Sequence, residues 1–241
     1  MLAKELKKCT TNDEIANAVL LAFPDLPEDY PIAYKAKKWF FYGLPFYVNR
    51  DVLVPRADTE ILAEQVISGA SLGKTAGLKI LDLCTGSGCI AIAVAKHTEG
   101  TKVYASDISE KSLRVARKNA AINKVDVEFI KSDLFGGIGI QFDVIACNPP
   151  YVKTGELGKY DKSTLSEPCI ALDGGAEGLG FYRRIAKEAP EYLSAGGTLA
   201  LETGHDQAQA VKSILSKCGF CDIRIIKDLG KKDRVVICRK N

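Results

Sequence analysis

The sequence predicts an α/β protein on a doubly wound, mostly parallel sheet of seven strands, with a closing antiparallel C-terminal hairpin and a short helical segment at the N-terminus. Two observations carry this. From Leu78 onward, short apolar runs alternate with stretches of helical period, the rhythm of β-α-β units. The last two apolar runs, 222–227 and 234–239, leave no room for a helix between them, so they must pair antiparallel across 228–233. A chain of 241 residues suits one large domain with a small appendage. We place the boundary between residues 1–38, the helical segment, and 39–241, the sheet domain with a small hairpin at its start.

Each element has a local reason. Thr11-Asn-Asp-Glu14 is a capping box, and Ile15 and Val19 open a helical period behind it. Residues 23–31 hold three prolines and read as a linker. Residues 39–48 are aromatic and alternating around Gly43-Leu-Pro45, which predicts a hairpin. Trp39, Phe40, Phe41 and Phe46 then form either a small core beneath it or a patch facing a partner. Asp58 reads as the N-cap of a helix running towards Ser68. Then come a strand at Lys79–Leu83, a helix at 88–96, a strand at 102–106, a helix at Glu110–Asn123, and strands at 127–130 and Phe142–Cys147. A helix at 181–189, a strand at 198–202 and a helix at 207–217 precede the closing hairpin.

Composition is that of an ordinary globular protein: 46% hydrophobic, 26% charged, net charge +3. No charge block is long enough to read as a nucleic-acid tail. Residues 1–14 are polar with no apolar run behind them, unlike a secretory signal, and the longest apolar run, 89–95, is too short to span a bilayer. These features predict a cytoplasmic protein with reduced cysteines. Cys84, Cys89, Cys147, Cys218 and Cys221 sit among apolar residues and read as small core hydrophobes. Cys218 and Cys221 form a lone CxxC, without the second pair a zinc site needs, so no metal is expected. His97 and His205 read as surface or packing histidines.

The stretch from Ile80 to Ala91 is strand, glycine turn, helix. Gly86 and Gly88 permit the tight turn and a close ligand, and the helix start offers free N–H groups. Asp107 ends the next strand, where a carboxylate can accept both hydroxyls of a ribose. The spacing Gly86-x-Gly88-x-x-Ala91 also fits a dinucleotide fingerprint. Asp82, just ahead of the glycines, suits a cationic amino group, directly or through water. That favours S-adenosylmethionine, which carries an ammonium and no pyrophosphate. Asp133 and Leu134 follow the third strand and place a carboxylate and an apolar side chain beside an adenine. Cys84, Thr85 and Ser87 complete the turn.

Asn148-Pro149-Pro150-Tyr151 ends an apolar strand abruptly. In open α/β sheets ligands bind at the carboxyl ends of strands, so Asn148 should face the glycine turn's crevice. The prolines stiffen the loop and leave it rich in acceptors. An amide nitrogen is a poor nucleophile because its lone pair is delocalised. The Asn148 side-chain oxygen and the Pro149 carbonyl are two acceptors suited to a planar NH2 group, and Tyr151 can pack on its face. Positioning and electrostatics would carry such a methyl transfer.

Together Asp82-Leu-Cys-Thr-Gly-Ser-Gly88, Asp107, Asn148-Pro-Pro-Tyr151, Val54-Pro-Arg-Ala-Asp-Thr-Glu60, Phe41-Tyr-Gly-Leu-Pro-Phe46 and Glu167-Pro-Cys-Ile-Ala-Leu-Asp-Gly-Gly175 resemble the HemK/PrmC family, release-factor glutamine methyltransferases of the class I fold. The resemblance covers residues 31–241. It implies that residues 84–88, Asp107 and Asn148 bind S-adenosylmethionine, with Leu134 beside the adenine. It implies that Asn148, Pro149, Pro150 and Tyr151 hold the glutamine of a Gly-Gly-Gln loop in a class-one release factor. Arg56 and the Asp58-Thr-Glu60 segment would line the same site. The family usually carries a longer N-terminal helical domain, whereas about thirty residues precede Pro31 here. Lys35 and Lys37 stand where the family tends to show an aliphatic residue and a glycine. Asn-Pro-Pro-Tyr alone is shared with DNA adenine methyltransferases. The alternatives are therefore a nucleic-acid amino methyltransferase, which needs base extrusion and a reading surface, a nicotinamide oxidoreductase, and a non-catalytic binding module.

Overall fold

The computed structural model describes residues 2–27, 30–71, 77–160 and 162–241. Helices α1 (Leu2–Lys8), α2 (Asn12–Ala22) and α3 (Ile32–Ala36) come first, followed by the strands β1 (Trp39–Phe41) and β2 (Leu44–Phe46) and helix α4 (Ala57–Ser71). The alternation then runs β3 (Lys79–Leu83), α5 (Cys89–His97), β4 (Lys102–Asp107), α6 (Glu110–Asn123), β5 (Glu128–Lys131) and β6 (Phe142–Cys147). The four-residue helix α7 (Lys162–Leu165), α8 (Gly180–Tyr192), β7 (Leu193–Glu202), α9 (Ala208–Lys217), β8 (Cys221–Lys227) and β9 (Asp233–Arg239) complete the chain.

Seven strands form one sheet in the order β5-β4-β3-β6-β7-β9-β8, with β9 antiparallel to both neighbours. The last strand thus slots between β7 and β8. Side chains alternate across the central strands of the sheet. Ile80, Ala105, Ala146, Ala200 and Ile237 belong to the core shared with α4, α5 and α6. Leu81, Leu83, Tyr104, Ile145, Leu199, Leu201 and Val236 belong to the core shared with α8 and α9. Burial on both faces is why these strands read as continuous apolar runs. The chain winds outward from β3 to β4 and β5, then returns to β6 on the other side of β3. That reversal opens a crevice at the strands' carboxyl ends. Leu83 pairs with Cys147, so Cys84 and Asn148 leave the sheet side by side.

The N-terminal helices have a core of their own in Cys9, Ile15, Val19 and Ala36, while Ala33 and Tyr34 join the sheet's core. The Thr11 hydroxyl accepts from Glu14 N and the Glu14 carboxylate accepts from Thr11 N, the expected capping box. Asn12 ties α2 to the hairpin, donating to Phe40 O (3.0 Å) and accepting from Phe40 N (2.7 Å). Of the proline-rich linker at 23–31, residues 28–29 lie outside the described residues. The hairpin turns at Tyr42 and Gly43, both left-handed (φ 50° and 71°), as a two-residue turn matched to strand twist requires. Phe41 and Phe46 are buried edge-to-face beneath it, so the small core, not a partner patch, accounts for them.

Three expectations are corrected. Asp58 does not cap α4. It lies in the first turn of a helix that starts at Ala57, and its carboxylate pairs with Arg234 at 3.1 Å. Cys218 is exposed and Cys221 half-buried, because they stand at the rim where α9 ends and β8 begins rather than in the core. Cys84 is half-buried too, for it lies in the loop beyond β3. Lys37 terminates α3 in the left-handed region (φ 52°). A side chain there costs about 1–2 kcal/mol. Part of that is offset by the extra freedom glycine brings to the unfolded chain. We expect Lys37→Gly to raise stability by roughly 0.5–1 kcal/mol, read as a higher thermal midpoint. An unchanged or lower midpoint would refute this.

Candidate active site

The crevice holds a cavity of about 230 Å³. A single water needs only about 10–15 Å³ on this measure, so there is room for a sizeable organic ligand. Cys84, Thr85, Gly86 and Ser87 form one wall. Cys84 and Gly86 are both left-handed (φ 61° and 55°), and a side chain on Gly86 would project into open space, so this turn is a bare backbone cradle. Gly88 is off the wall. Its φ is 84°, and a Cβ there would lie 3.1 Å from the Ala116 Cβ, so this glycine lets α5 pack on α6. Asn119 of α6 locks the same region: its Nδ2 donates to Ser87 O (2.9 Å) and Tyr47 O (3.0 Å).

Asp82 lies beneath the turn, 1% exposed, and is not on the cavity wall. Its Oδ2 accepts from the Thr85 hydroxyl (2.5 Å) and Ala91 N (3.1 Å). It braces the cradle. Burial pushes its carboxyl up to about 7, against those hydrogen bonds. Asp107 does line the cavity. Its Oδ2 accepts from Gly86 N (2.9 Å) and its Oδ1 from Ser109 N (2.8 Å), and burial raises its pKa. Leu134 faces the cavity in a left-handed conformation (φ 48°) that the Ser132 hydroxyl secures by donating to its carbonyl at 2.6 Å. Asp133 is on the wall but exposed, paired with Arg184 at 3.0 Å.

The second half of the site is the loop after β6. Asn148 and Pro150 face the cavity, whereas Pro149 and Tyr151 do not. The Asn148 Nδ2 donates to the Thr59 hydroxyl oxygen at 3.1 Å, which leaves its Oδ1 as the acceptor. Tyr151 directs its hydroxyl to the buried Glu202 (3.5 Å). Gln207 donates to Tyr151 O at 2.9 Å, and Val152 bridges to Asp173 in the 167–175 segment, so the loop is clamped from two sides. Arg56 lines the cavity and pairs with Glu167 at 2.8 Å, joining two motifs that are 111 residues apart. Glu60 is elsewhere: its carboxylate accepts from Tyr42 N (2.7 Å) and supports the hairpin turn. His97 packs edge-on against Tyr42, away from the site.

Sequence reasoning missed Ser106, Ile108, Ile170 and Phe181 on the wall, and Glu202 and Gln207 behind it. Only sheet register brings them there, and no local spacing signals it.

The donor set fits S-adenosylmethionine. A backbone cradle, an acid at the end of β4 and the apolar Leu134 and Ile108 surround the cavity, and the buried Ser106 hydroxyl on its wall has no partner of its own. Residues 59–167 match the methyltransferase small domain family. A release factor glutamine methyltransferase of Thermodesulfovibrio yellowstonii is 42% identical over 88% of this chain and 77% of its own length. One from Fusobacterium nucleatum is also 42% identical, over 87% of this chain and 60% of its own length. Among solved structures, a release-factor-specific protein-(glutamine-N5) methyltransferase from Alicyclobacillus acidocaldarius is 29% identical, with a TM-score of 0.50 over 81% of this chain and 99% of that one. Fold, cradle and likeness converge: this chain is a member of the release factor glutamine methyltransferases, and its cofactor is S-adenosylmethionine.

Proposed function

We propose that the chain methylates the side-chain amide nitrogen of the glutamine in the Gly-Gly-Gln motif of a class-one peptide-chain release factor. The observation that carries this is the Asn148 amide, held beside the cradle with its oxygen free to accept. S-adenosylmethionine, held by the Cys84–Ser87 backbone, Asp107 and Leu134, supplies a methyl group on a cationic sulfur. The Asn148 Oδ1 accepts a hydrogen of the glutamine NH2, orienting it and pushing density onto nitrogen. Pro150 shapes the crevice. Tyr151, drawn towards Glu202, and Gln207 hold the loop against recoil. Arg56 and its partner Glu167 form the rim that the substrate strand crosses. As the nitrogen–methyl bond forms, the methyl–sulfur bond would break and leave a neutral thioether; no strong base is needed before attack, since the nitrogen, cationic once it has its fourth substituent, sheds a proton to water. Eight unpaired cysteines suit a reducing compartment, and we place the enzyme in the cytoplasm. Among the described residues no helix is long and apolar enough to cross a membrane.

The test is transfer of a labelled methyl group to release factor, to a release factor with its Gly-Gly-Gln glutamine replaced by alanine, to DNA and to RNA, side by side. We expect one methyl group on the glutamine and none elsewhere. Label in nucleic acid alone would establish the amino methyltransferase alternative instead.

Asp107 gives a second prediction. Loss of its hydrogen bonds to a bound ribose should weaken cofactor affinity in Asp107→Ala by about 1–3 kcal/mol. Calorimetry finding wild-type affinity would remove Asp107 from the cofactor site.

A further inference from the structure

Glu202 is the last residue of β7, 2% exposed, and its Oε2 has no hydrogen-bond partner. It faces the Asn-Pro-Pro-Tyr loop from behind. The Tyr151 hydroxyl donates to its Oε1 at 3.5 Å, and of its neighbours the Thr59 hydroxyl does most to favour the ionised form. The same hydroxyl oxygen accepts from the Asn148 Nδ2 at 3.1 Å. Glu202, Thr59 and Asn148, from three distant parts of the chain, thus form one cluster at the amide that faces the cavity.

We propose that Glu202, acting through Thr59, is a positioning residue that decides which end of the Asn148 amide meets the substrate. This rests on the functional reading above. The two ends of an asparagine amide have nearly the same shape, so sterics do not choose between them. Hydrogen-bond polarity does. An ionised carboxylate only accepts, so the Thr59 hydroxyl gives it its one proton. The Thr59 oxygen is then left to accept, and only the NH2 end of Asn148 can serve it. The Asn148 oxygen is thereby turned to the cavity, where the hydrogens of a glutamine NH2 require an acceptor. Were Glu202 neutral, it could donate to Thr59, whose proton would be released to the Asn148 oxygen. The amide would then turn over and set NH2 against NH2.

Burial pushes the Glu202 carboxyl up to about 7. The groups around it are Asp58 and Thr59 on α4, Cys89 on α5, Tyr151 on the loop, Tyr182 on α8 and Arg234 on β9. Asp58 resists its ionisation and Arg234 favours it. Activity should accordingly rise with pH as Glu202 loses its proton.

The experiment measures kcat and KM for methyl transfer to release factor across pH 5–9, with wild type, Thr59→Val, Thr59→Ser and Glu202→Gln. A misdirected reacting group costs up to about 10²-fold. We expect Thr59→Val to lose roughly 10- to 100-fold in kcat with cofactor affinity and KM little changed, and Thr59→Ser to restore it. Wild type and Thr59→Ser should show the acid limb, and Glu202→Gln should lack it. If Thr59→Val fails to fold, the Glu202→Gln profile decides. A Thr59→Val enzyme with wild-type kcat, or a Glu202→Gln enzyme that keeps the wild-type limb, overturns this inference alone. A wild type that transfers no methyl to release factor overturns the functional reading and this inference with it.

Discussion

Asn148→Ala is expected to lower methyl transfer by about 10²–10³-fold, the usual consequence of deleting one preorganised hydrogen-bond group at a reacting centre, while leaving the fold and cofactor binding largely intact. The asymmetry follows from the contacts. Asn148 makes one hydrogen bond inside the protein, to Thr59, and is only half-buried. Losing that bond costs about 0.5–1.5 kcal/mol of stability. The cradle that holds the cofactor is built from β3, α5 and Asp107, none of which depends on the Asn148 side chain. What disappears is the acceptor that makes an amide nitrogen nucleophilic. Single-turnover transfer to release factor, read beside calorimetry with S-adenosylmethionine, checks both halves. Turnover within about threefold of wild type would mean that the oxygen of Asn148 is not part of the chemistry, since an essential acceptor is worth far more.

How much of this was legible in the sequence depends on the range over which each feature is encoded. Lys79–Leu83, Glu110–Asn123 and Phe142–Cys147 are found where their patterns put them, because period and capping are local and both sheet faces are covered. The cradle was legible for the same reason: strand, glycine turn and helix lie within a dozen residues. Asp58 misled because a short polar residue before an apolar period looks the same as a cap or as the first turn, and only Arg234, distant in sequence on β9, decides its use. Glu60 belongs to a motif near the site, yet its carboxylate turns to Tyr42, and the Tyr151 hydroxyl turns to Glu202. Glu202 and Gln207 were not legible at all. They meet Tyr151 from 51 and 56 residues away, through the parallel pairing of β6 with β7.

Gly174→Ala is the prediction that most directly tests this long-range assembly. The 167–175 segment packs its backbone against the Asn-Pro-Pro-Tyr loop, with Val152 N donating to Leu172 O (2.9 Å) and Gly174 N to Val152 O (2.8 Å). A Cβ on Gly174 would sit 2.7 Å from Tyr151 Cα and 2.8 Å from Pro150 O. These are backbone atoms, so no side chain can swing aside, and the loop itself must move. Overpacking of this kind costs about 1–3 kcal/mol, tolerable for a stable domain. The chemical penalty appears directly in the rate, because a shift of about 1 Å at the reacting centre costs on the order of 10²-fold. Gly155→Ala is the control, since nothing lies within 4 Å of the added methyl. We therefore expect Gly174→Ala to fold, bind S-adenosylmethionine and transfer methyl about 10²-fold more slowly, with Gly155→Ala close to wild type. Equal rates in the two variants would mean that the loop tolerates displacement. Rigid placement of the amide acceptor would then no longer explain how a flat, unreactive nitrogen is made to attack.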